Sequence, residues 1–376
     1  MRTLSPRQRR AIAGAAVATM VLVPALWIAR SPALRASLHA ARLAFEDPSR
    51  LREGAPAPLP LEAPLAPSVE LDQPEISGDF DPPADTALLD PDAGPDAAAS
   101  LVLPDLGFAV SQRTMRFVAY FAGAEQGRQA FVDRFRRAGR YREHIEQALR
   151  DADLPEDLVW LVAIESGFNP QATSPKGAAG LFQFMPQTGV KYGLAQTEQI
   201  DERRSVTKST AAAIAYLKDL FAVYQRMDLA LAAYNFGREP LDEAIAKLTA
   251  RRSAKERKEP IALKDLAEAR LVPKETANFV PQIQAFAIVA ANRGRFGLDA
   301  LDVAAPFDFG EIAVPAGTPL RVVARAAGVS IAVLRDYNPD LLRDVIPSEG
   351  GDALVVVPAD RVAQALAAFP ALHARE

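Results

Sequence analysis

The sequence predicts a mainly α-helical protein, with a small α+β module near its C-terminal end and a disordered tether near its N-terminal end. Apolar residues at helical spacing dominate from about Ser111 to Asn292, and a strand–helix–helix–strand pattern follows Phe307. Prolines crowd residues 48–104. With 376 residues, of which 49% are hydrophobic, the chain can form two or three domains.

A basic and then apolar segment begins the chain. Four arginines lie within the first ten residues, and an uncharged run of nineteen residues follows at 11–29. As a helix, this run would span roughly 28 Å, close to the hydrocarbon thickness of a bilayer. The basic flank favours the cytoplasmic side. We therefore expect residues 1–30 to anchor the protein in the bacterial inner membrane, with the remainder in the periplasm; a cleaved signal peptide is the alternative.

The next segment, residues 31–108, is predicted to be a disordered tether. Twelve of the 30 prolines lie between Pro48 and Pro104, among many Ala, Asp and Glu residues and few aromatic ones. Such a composition cannot bury enough apolar surface to fold. As a coil, the segment would span roughly 50 Å, which is enough to hold a domain away from a membrane.

The helices of a central domain, residues 109–300, follow from apolar spacing and from residues that begin or end helices. Phe117, Phe121 and Phe131 lie among the aromatic residues that recur at helical intervals. Pro281 is expected to kink the last helix. The predicted helices are one from about Ser111, then 141–149, one from Pro155 to Gly167, 205–224, one with Asp228 as N-cap, and 273–292.

One acidic residue stands out on the third of these helices. Leu158, Leu161, Val162 and Glu165 have the spacing of a single helix face, which places Glu165 on the face that should be buried. Burial disfavours a carboxylate and raises its pKa, which suits a general acid that works near neutral pH. The alternative interpretation is a glutamate paired with an arginine inside the core.

The C-terminal module, residues 307–360, is predicted from a short strand, two helices and a second short strand. At roughly 50 residues it is too small to be an enzyme by itself. Residues 361–376 are predicted to form a tail.

Composition excludes several kinds of chemistry. A formal net charge of −4 argues against nucleic acid as a partner, because phosphate binding needs a basic face. The absence of cysteine excludes disulfides and thiolate sites. His39, His144 and His373 are scattered along the sequence. We therefore expect no metal and no cofactor, and a catalytic site made of carboxylates, hydroxyls and amides.

Four sequence blocks around and after Glu165 occur in the order found in one enzyme family. They are ESGFNPQATSPKGAAGLFQFMPQTG (165–189), DERRSVTKSTAAAIAYL (201–217), AAYNFG (232–237) and ETANFV (275–280). The chain from Arg113 to about Gly297 thus resembles the lytic transglycosylases with a goose-type lysozyme-like catalytic domain. The likeness is greatest to the membrane-bound type D murein transglycosylases.

The C-terminal module is similar to LysM, a peptidoglycan-binding domain. The matching positions are Thr318, Leu320, Val323, Ala324, Gly328, Val329, Leu334, Asn338 and Pro358. Whether such a module still binds glycan is open from the sequence.

The resemblance implies that peptidoglycan glycan strands are the substrate and that Glu165 is the catalytic acid and then base. It would cleave the β-1,4 bond between N-acetylmuramic acid and N-acetylglucosamine and leave 1,6-anhydromuramyl ends. Ser174 and Gln183 would hydrogen-bond the sugar or orient Glu165, and Met185 would pack against the sugar.

Three further residues follow from the same resemblance. Tyr234 and Asn235 would bond the glutamate and the acetamido group, and Glu275 would assist in the cleft. Structural interpretations stay open for several of these positions: a turn serine for Ser174, core packing for Met185, and a helix-dipole role for Glu275.

The sequence departs from the family at one position, because Phe279 stands where the family commonly has tyrosine. The missing hydroxyl puts fine tuning of the catalytic acid in doubt. Asp201, Arg203 and Arg204 are interpreted as a helix cap with surface ion pairs.

Two other functions remain open from the sequence. A goose-type lysozyme-like muramidase would use water as nucleophile and would need a second carboxylate, for which Asp201 and Glu202 are the candidates nearby in sequence. A non-catalytic peptidoglycan-binding scaffold is the other alternative.

Overall fold

The computed structural model describes residues 101–253, 255–348 and 351–374. The predicted anchor, residues 1–30, and nearly all of the predicted tether lie outside this part of the chain. Among the described residues, no helix combines the length and apolar character needed to cross a bilayer.

Nine α-helices form the central region that the structure describes. They are α1 (Gln112–Gly123), α2 (Glu125–Asp151), α3 (Trp160–Glu165), α4 (Pro186–Lys191), α5 (Val206–Tyr224), α6 (Met227–Phe236), α7 (Arg238–Arg251), α8 (Leu263–Glu268) and α9 (Lys274–Ala291). Short 3-10 turns cover Glu156–Val159, Glu202–Arg204, Glu256–Lys258 and Arg293–Phe296. The prediction of a mainly α fold is therefore confirmed.

Two helix ends differ from the sequence prediction. The helix predicted at 141–149 is only the last part of α2, which begins at Glu125. Asp228 lies in the first turn of α6 instead of capping it; its carboxylate pairs with Arg226 and accepts a bond from the Leu263 backbone N–H. The carboxylate that the sequence analysis assigned to a helix cap thus makes a tertiary contact instead.

The core is built around aromatic rings that hold α3 in place. The ring centroid of Phe286, on α9, lies 4.6 Å from that of Phe131 and 5.2 Å from that of Trp160. Phe121 contacts Phe286 edge to face at 5.5 Å. Each fully buried side chain of this size stabilises the fold by roughly 1.5–3 kcal/mol. The short α3 therefore depends on tertiary packing, because six residues are too few for a stable isolated helix.

The C-terminal module is a two-stranded antiparallel sheet covered by helices. Strand β1 (Phe309–Val314) pairs with β2 (Ala353–Pro358), with Phe309 opposite Pro358. Helices α10 (Leu320–Ala327) and α11 (Ile331–Tyr337) lie between the strands in sequence. This arrangement confirms the predicted small α+β module.

A further helix follows β2 where the sequence analysis expected a tail. Helix α12 (Val362–His373) packs against α10, and its Ala365 is fully buried in the core of the module. The weak amphipathic pattern of this segment, with Leu366 largely exposed, concealed its packing contact.

The module contacts the central domain through α2. The Arg140 side chain forms an ion pair with Asp336 at 2.5 Å and lies over the rings of Phe307 and Tyr337 at 5.4 and 5.0 Å. The rings of Phe307 and Tyr337 stack on each other at 5.0 Å.

A second contact between the two parts is made by main-chain atoms. The Asp201 N–H donates to the Asp340 carbonyl, and the Leu342 N–H donates to the Gln199 carbonyl, both at 2.9 Å. Ile200 and Leu341 form the bridge between these bonds. The two contacts together fix the module against the central domain.

Asn338 joins α11 to β2 inside the module. Its amide donates to the Val356 carbonyl at 2.7 Å and accepts from the Val356 N–H at 2.9 Å, and the side chain is 3% exposed. We predict that Asn338→Ala lowers the free energy of unfolding by about 1–3 kcal/mol, because both backbone groups of Val356 lose their partner in a buried site. Calorimetric unfolding of the full chain measures this loss.

The control for Asn338→Ala is Leu366→Ala. Leu366 is 56% exposed, and its truncation is expected to change the free energy of unfolding by less than about 0.5 kcal/mol. Equal effects of the two variants would contradict the structural role of Asn338.

Candidate active site

Glu165 is the last residue of α3, and the chain reverses directly after it. Gly167 and Phe168 both have positive φ angles, of 58° and 60°. A left-handed phenylalanine is strained, and it persists here because its ring is buried and contacts Trp160 edge to face. Packing of Phe168 therefore fixes the turn that ends α3 at Glu165.

The Glu165 carboxyl is poised to carry a proton. Its side chain is only partly exposed, and burial raises the pKa of Glu165 to about 8, with the Glu275 carboxylate as a second, smaller cause. In the part of the chain that the structure describes, Glu165 forms neither an ion pair nor a hydrogen bond. The alternative of a core glutamate paired with an arginine is therefore wrong. The group is mostly protonated at neutral pH.

The segment after α3, residues 172–185, folds over the end of that helix, and we call it the active-site loop. Ala179 exchanges two backbone hydrogen bonds with Phe184, each 3.1 Å long. Ser166 donates from its Oγ to the Leu181 carbonyl at 2.8 Å, and Tyr234 donates from its hydroxyl to the Phe182 carbonyl at 2.7 Å. The loop is thereby attached both to the end of α3 and to α6.

The sequence analysis did not assign a role to Ser166. The sequence feature that could have indicated a role is a small polar residue directly after the acid, at the point where α3 ends. The side chain of a serine at a helix end can hydrogen-bond the backbone of a neighbouring segment.

Ser174 and Gln183 lie in the loop, and their side chains bond the loop itself. The Ser174 Oγ accepts from the Ala178 N–H at 3.1 Å, as a turn serine does. The Gln183 amide donates to the Gly180 carbonyl at 2.9 Å, and its backbone is left-handed with φ of 48°. Met185, at the end of the loop, is 43% exposed and so is not a core residue.

Tyr234 lies beside Glu165 at the end of α6. Its hydroxyl bonds the Phe182 carbonyl, whereas the resemblance implied a bond to Glu165. Burial raises the pKa of Tyr234 well above its usual value, and the nearby Glu165 and Tyr216 add to the shift. Tyr234 is therefore a neutral hydrogen-bond donor at every physiological pH.

Asn235 and Glu275 meet where α6 approaches the start of α9. The Asn235 amide donates to Glu275 Oε1 at 3.4 Å and accepts from Thr276 Oγ1 at 2.8 Å. Glu275 is exposed, yet it acts electrostatically on Glu165. The structure thus brings Glu165, Tyr234 and Glu275 into one region.

Phe279, one turn further along α9, is 4% exposed and belongs to the hydrophobic core.

The two acidic residues considered for a hydrolytic route are engaged elsewhere. Asp201 caps the 3-10 turn and pairs with Arg203 at 2.8 Å. Glu202 pairs with Lys208 at 2.5 Å and accepts from the Ala195 N–H. The predicted cap is confirmed, but the prediction of a surface ion pair is wrong: Asp201 and Arg203 are 7% and 9% exposed, because the active-site loop and the C-terminal module cover them.

The described residues contain no group of three His, Asp or Glu side chains with the geometry to hold a metal ion. The chemistry available at this site is proton transfer by a desolvated carboxyl group, supported by a tyrosine hydroxyl and amides.

Two glycines of the loop provide a matched pair of substitutions. Gly180 and Gly177 both have positive φ, of 81° and 84°. A Cβ on Gly180 would lie 1.8 Å from the Arg203 carbonyl oxygen, whereas one on Gly177 would have no neighbour within 4 Å.

We predict that Gly180→Ala lowers the free energy of unfolding by roughly 2–5 kcal/mol, from backbone strain and from overpacking together. Gly177→Ala should show only the strain, about 1–2 kcal/mol. Denaturant titration of both variants measures the difference, and equal losses would argue against the close approach of the loop to Arg203.

Comparison with known proteins gives two family matches for this chain. Residues 143–257 match the family described as Transglycosylase SLT domain, and residues 308–374 match the one described as Lytic transglycosylase MltD, LysM-like domain. The second match includes α12.

Curated relatives agree with these matches. The chain is 31% identical over 235 residues to membrane-bound lytic murein transglycosylase D of Escherichia coli K12. The aligned part covers 61% of this chain and 50% of that protein. It is 34% identical over 112 residues to membrane-bound lytic murein transglycosylase F 2 of Alkalilimnicola ehrlichii, which covers 29% of this chain and 24% of that protein.

The chain spans half the length of the Escherichia coli relative. The two family matches fall within the helical domain that carries Glu165 and on the α+β module. The chain therefore carries a transglycosylase SLT domain followed by a LysM-like domain of the lytic transglycosylase MltD type.

Proposed function

We propose that the protein is a lytic murein transglycosylase that uses Glu165 as its single catalytic carboxyl group. The observation that carries this proposal is the position of Glu165, partly buried at the end of α3 within the SLT domain, where burial raises its pKa to about 8. The substrate is the glycan strand of peptidoglycan, in line with the LysM-like domain that follows.

In the first step, the protonated Glu165 donates its proton to the oxygen that bridges N-acetylmuramic acid and N-acetylglucosamine. The glycosidic C–O bond breaks, and positive charge develops on the muramyl ring. A neutral carboxyl group is required here, and its desolvation keeps it neutral at the pH of the cell envelope.

In the second step, the Glu165 carboxylate removes the proton of the muramyl 6-hydroxyl, whose oxygen bonds to the anomeric carbon. The product is a 1,6-anhydromuramyl end, water is not consumed, and Glu165 is protonated again. The nucleophile belongs to the same sugar, so its effective concentration is high without a second carboxylate to activate it.

Neighbouring groups have supporting roles in the proposal. Tyr234 keeps a neutral hydroxyl near the acid, and Asn235 offers an amide to the acetamido group. Exposed Met185 packs against the sugar at the cleavage point. Ser174 and Gln183 act mainly by holding the loop, because their side chains already bond its backbone.

Hydrolysis is the second candidate, and one observation favours it. A muramidase needs a second carboxylate that activates water. Glu275 is near enough to Glu165 to raise its pKa, and so could fill that role in place of Asp201 or Glu202. The mass of the product separates the two, because hydrolysis adds one water to the muramyl end and transglycosylation does not.

The location that fits this substrate is the bacterial cell envelope. The Escherichia coli relative is named as membrane-bound. Anchoring of this chain in the inner membrane through residues 1–30, followed by a tether, stays a prediction. The tether was predicted to extend over 31–108, but its last part, residues 101–108, is packed instead, with Leu101 and Leu106 buried in the hydrophobic core.

We predict that Glu165→Gln lowers fragment release from purified sacculi by at least 100-fold, because the amide cannot donate and then remove the proton. Mass spectrometry of the released muropeptides measures both the rate and the anhydro end of the wild-type product. The variant should still sediment with sacculi. Release by Glu165→Gln at the wild-type rate would refute the assignment of the acid.

We predict that the activity falls as the pH rises through about 8, because Glu165 must begin the cycle protonated. The Glu275 carboxylate raises the pKa of Glu165, so Glu275→Gln should move this alkaline limb to lower pH. The pH dependence of kcat/KM on soluble glycan strands is the measurement.

Glu268→Gln, an exposed acid on α8, is the control and should leave the alkaline limb in place. Loss of activity at every pH in Glu275→Gln, together with a hydrated product from the wild-type protein, would favour the hydrolytic mechanism instead.

A further inference from the structure

Arg203 is buried against the active-site loop and holds it at two points. The guanidinium Nη1 donates to the Gly177 carbonyl at 2.7 Å and to the Phe184 carbonyl at 3.1 Å. These two residues bracket the part of the loop that contains Leu181, Phe182 and Gln183. A single side chain therefore holds both ends of this segment together.

Asp201 fixes the orientation of the Arg203 side chain. Its two carboxylate oxygens accept from Arg203 Nε and Nη2, each at 2.8 Å, and Oδ1 also accepts from the Arg203 backbone N–H. Such a fork-to-fork pair defines the plane and direction of the guanidinium group. A buried ion pair adds little stability compared with apolar residues of the same volume. The role of this pair is therefore to orient the Arg203 guanidinium group.

The surroundings hold this pair from both sides. On one side the Arg203 carbonyl lies against Gly180, at a distance that leaves no room for a Cβ. On the other side the Asp201 N–H donates to the Asp340 carbonyl of the LysM-like domain. The pair cannot shift without disturbing the loop or the domain contact.

The loop segment held by Arg203 is the one that touches the catalytic region. The Leu181 carbonyl accepts from Ser166, which follows Glu165, and the Phe182 carbonyl accepts from Tyr234, which lies beside it. A change in the position of this segment would therefore change how much water reaches Glu165.

We propose that Arg203, oriented by Asp201, is a positioning residue for the transglycosylase reaction: it fixes the active-site loop against the end of α3. This proposal rests on the proposed function, since the loop matters for catalysis only if Glu165 is the acid. Arg203 acts through backbone carbonyls and not on the sugar itself.

The test is Arg203→Lys in the full chain, with Arg226→Lys as the matched control. A lysine keeps the charge but cannot bind Asp201 with two donors and still reach two carbonyls. Arg226 makes the same type of pair with Asp228, with bonds of 3.0 and 3.1 Å, and Asp228 is 6% exposed. That pair bonds the Leu263 backbone and not the active-site loop.

For Arg203→Lys we expect kcat to fall roughly 10- to 100-fold with little change in KM, as misplacement of a positioned group does. The alkaline limb of the pH profile should move to lower pH, because water enters beside Glu165. Arg226→Lys, which also breaks a two-donor pair with a buried aspartate, should keep the wild-type kcat and alkaline limb. A folded Arg203→Lys protein with wild-type kcat and pH profile would overturn the proposal.

Hydrogen exchange separates this proposal from the proposed function. Amides of residues 177–184 should exchange faster in Arg203→Lys than in Arg226→Lys, whether or not the wild-type product carries an anhydro ring. Equal protection in the two variants would overturn the role of Arg203 without touching the assignment of Glu165. If Arg203→Lys does not fold, Asp201→Asn, which keeps the shape of the side chain, is judged by the same exchange comparison.

Discussion

The removal of water from one carboxyl group, that of Glu165, is the constraint on which the site depends. The group sits at the end of a six-residue helix that could not persist alone. Packing of Trp160 and Phe168 sets where α3 ends, and the active-site loop covers that end. The raised pKa is therefore a property of the tertiary structure and not of the motif by itself.

The loop is held chiefly through its own carbonyl groups. Ser166, Tyr234 and Arg203 reach it from three different elements, and each donates to backbone oxygens. The backbone bonds fix the path of the loop, and the side chain of Met185 at its end faces solvent. A loop fixed in this way can vary in sequence at its exposed positions while its path stays the same. The LysM-like domain takes part, since its Asp340 carbonyl contacts the residue that orients Arg203.

Much of this arrangement was predictable from the sequence, and the reasons for the exceptions are physical. Helix periodicity located Glu165 on a buried face, and the motif order located the loop and Tyr234. The sequence did not predict that Asp201 and Arg203 are buried, because charged residues in a short polar stretch read as surface groups. It also assigned α12 to a tail and Tyr234 to a bond with Glu165. In each case the contact that decides the structure is made outside the local sequence. Asp201 and Arg203 are covered by the active-site loop and the C-terminal module, α12 packs on the core of that module, and Tyr234 bonds the Phe182 carbonyl.

The electrostatics of the site also explain how one carboxyl group can serve both steps of the proposed reaction. An acid whose pKa lies near 8 holds its proton at neutral pH, yet its conjugate base is strong enough to take a proton from a hydroxyl whose oxygen is forming a bond. Glu275 adds a negative charge at an exposed position, so its influence is open to screening by solvent and by the substrate that covers it. Binding of a glycan strand would exclude that solvent and strengthen the repulsion, which keeps Glu165 protonated until its proton is transferred to the glycosidic oxygen.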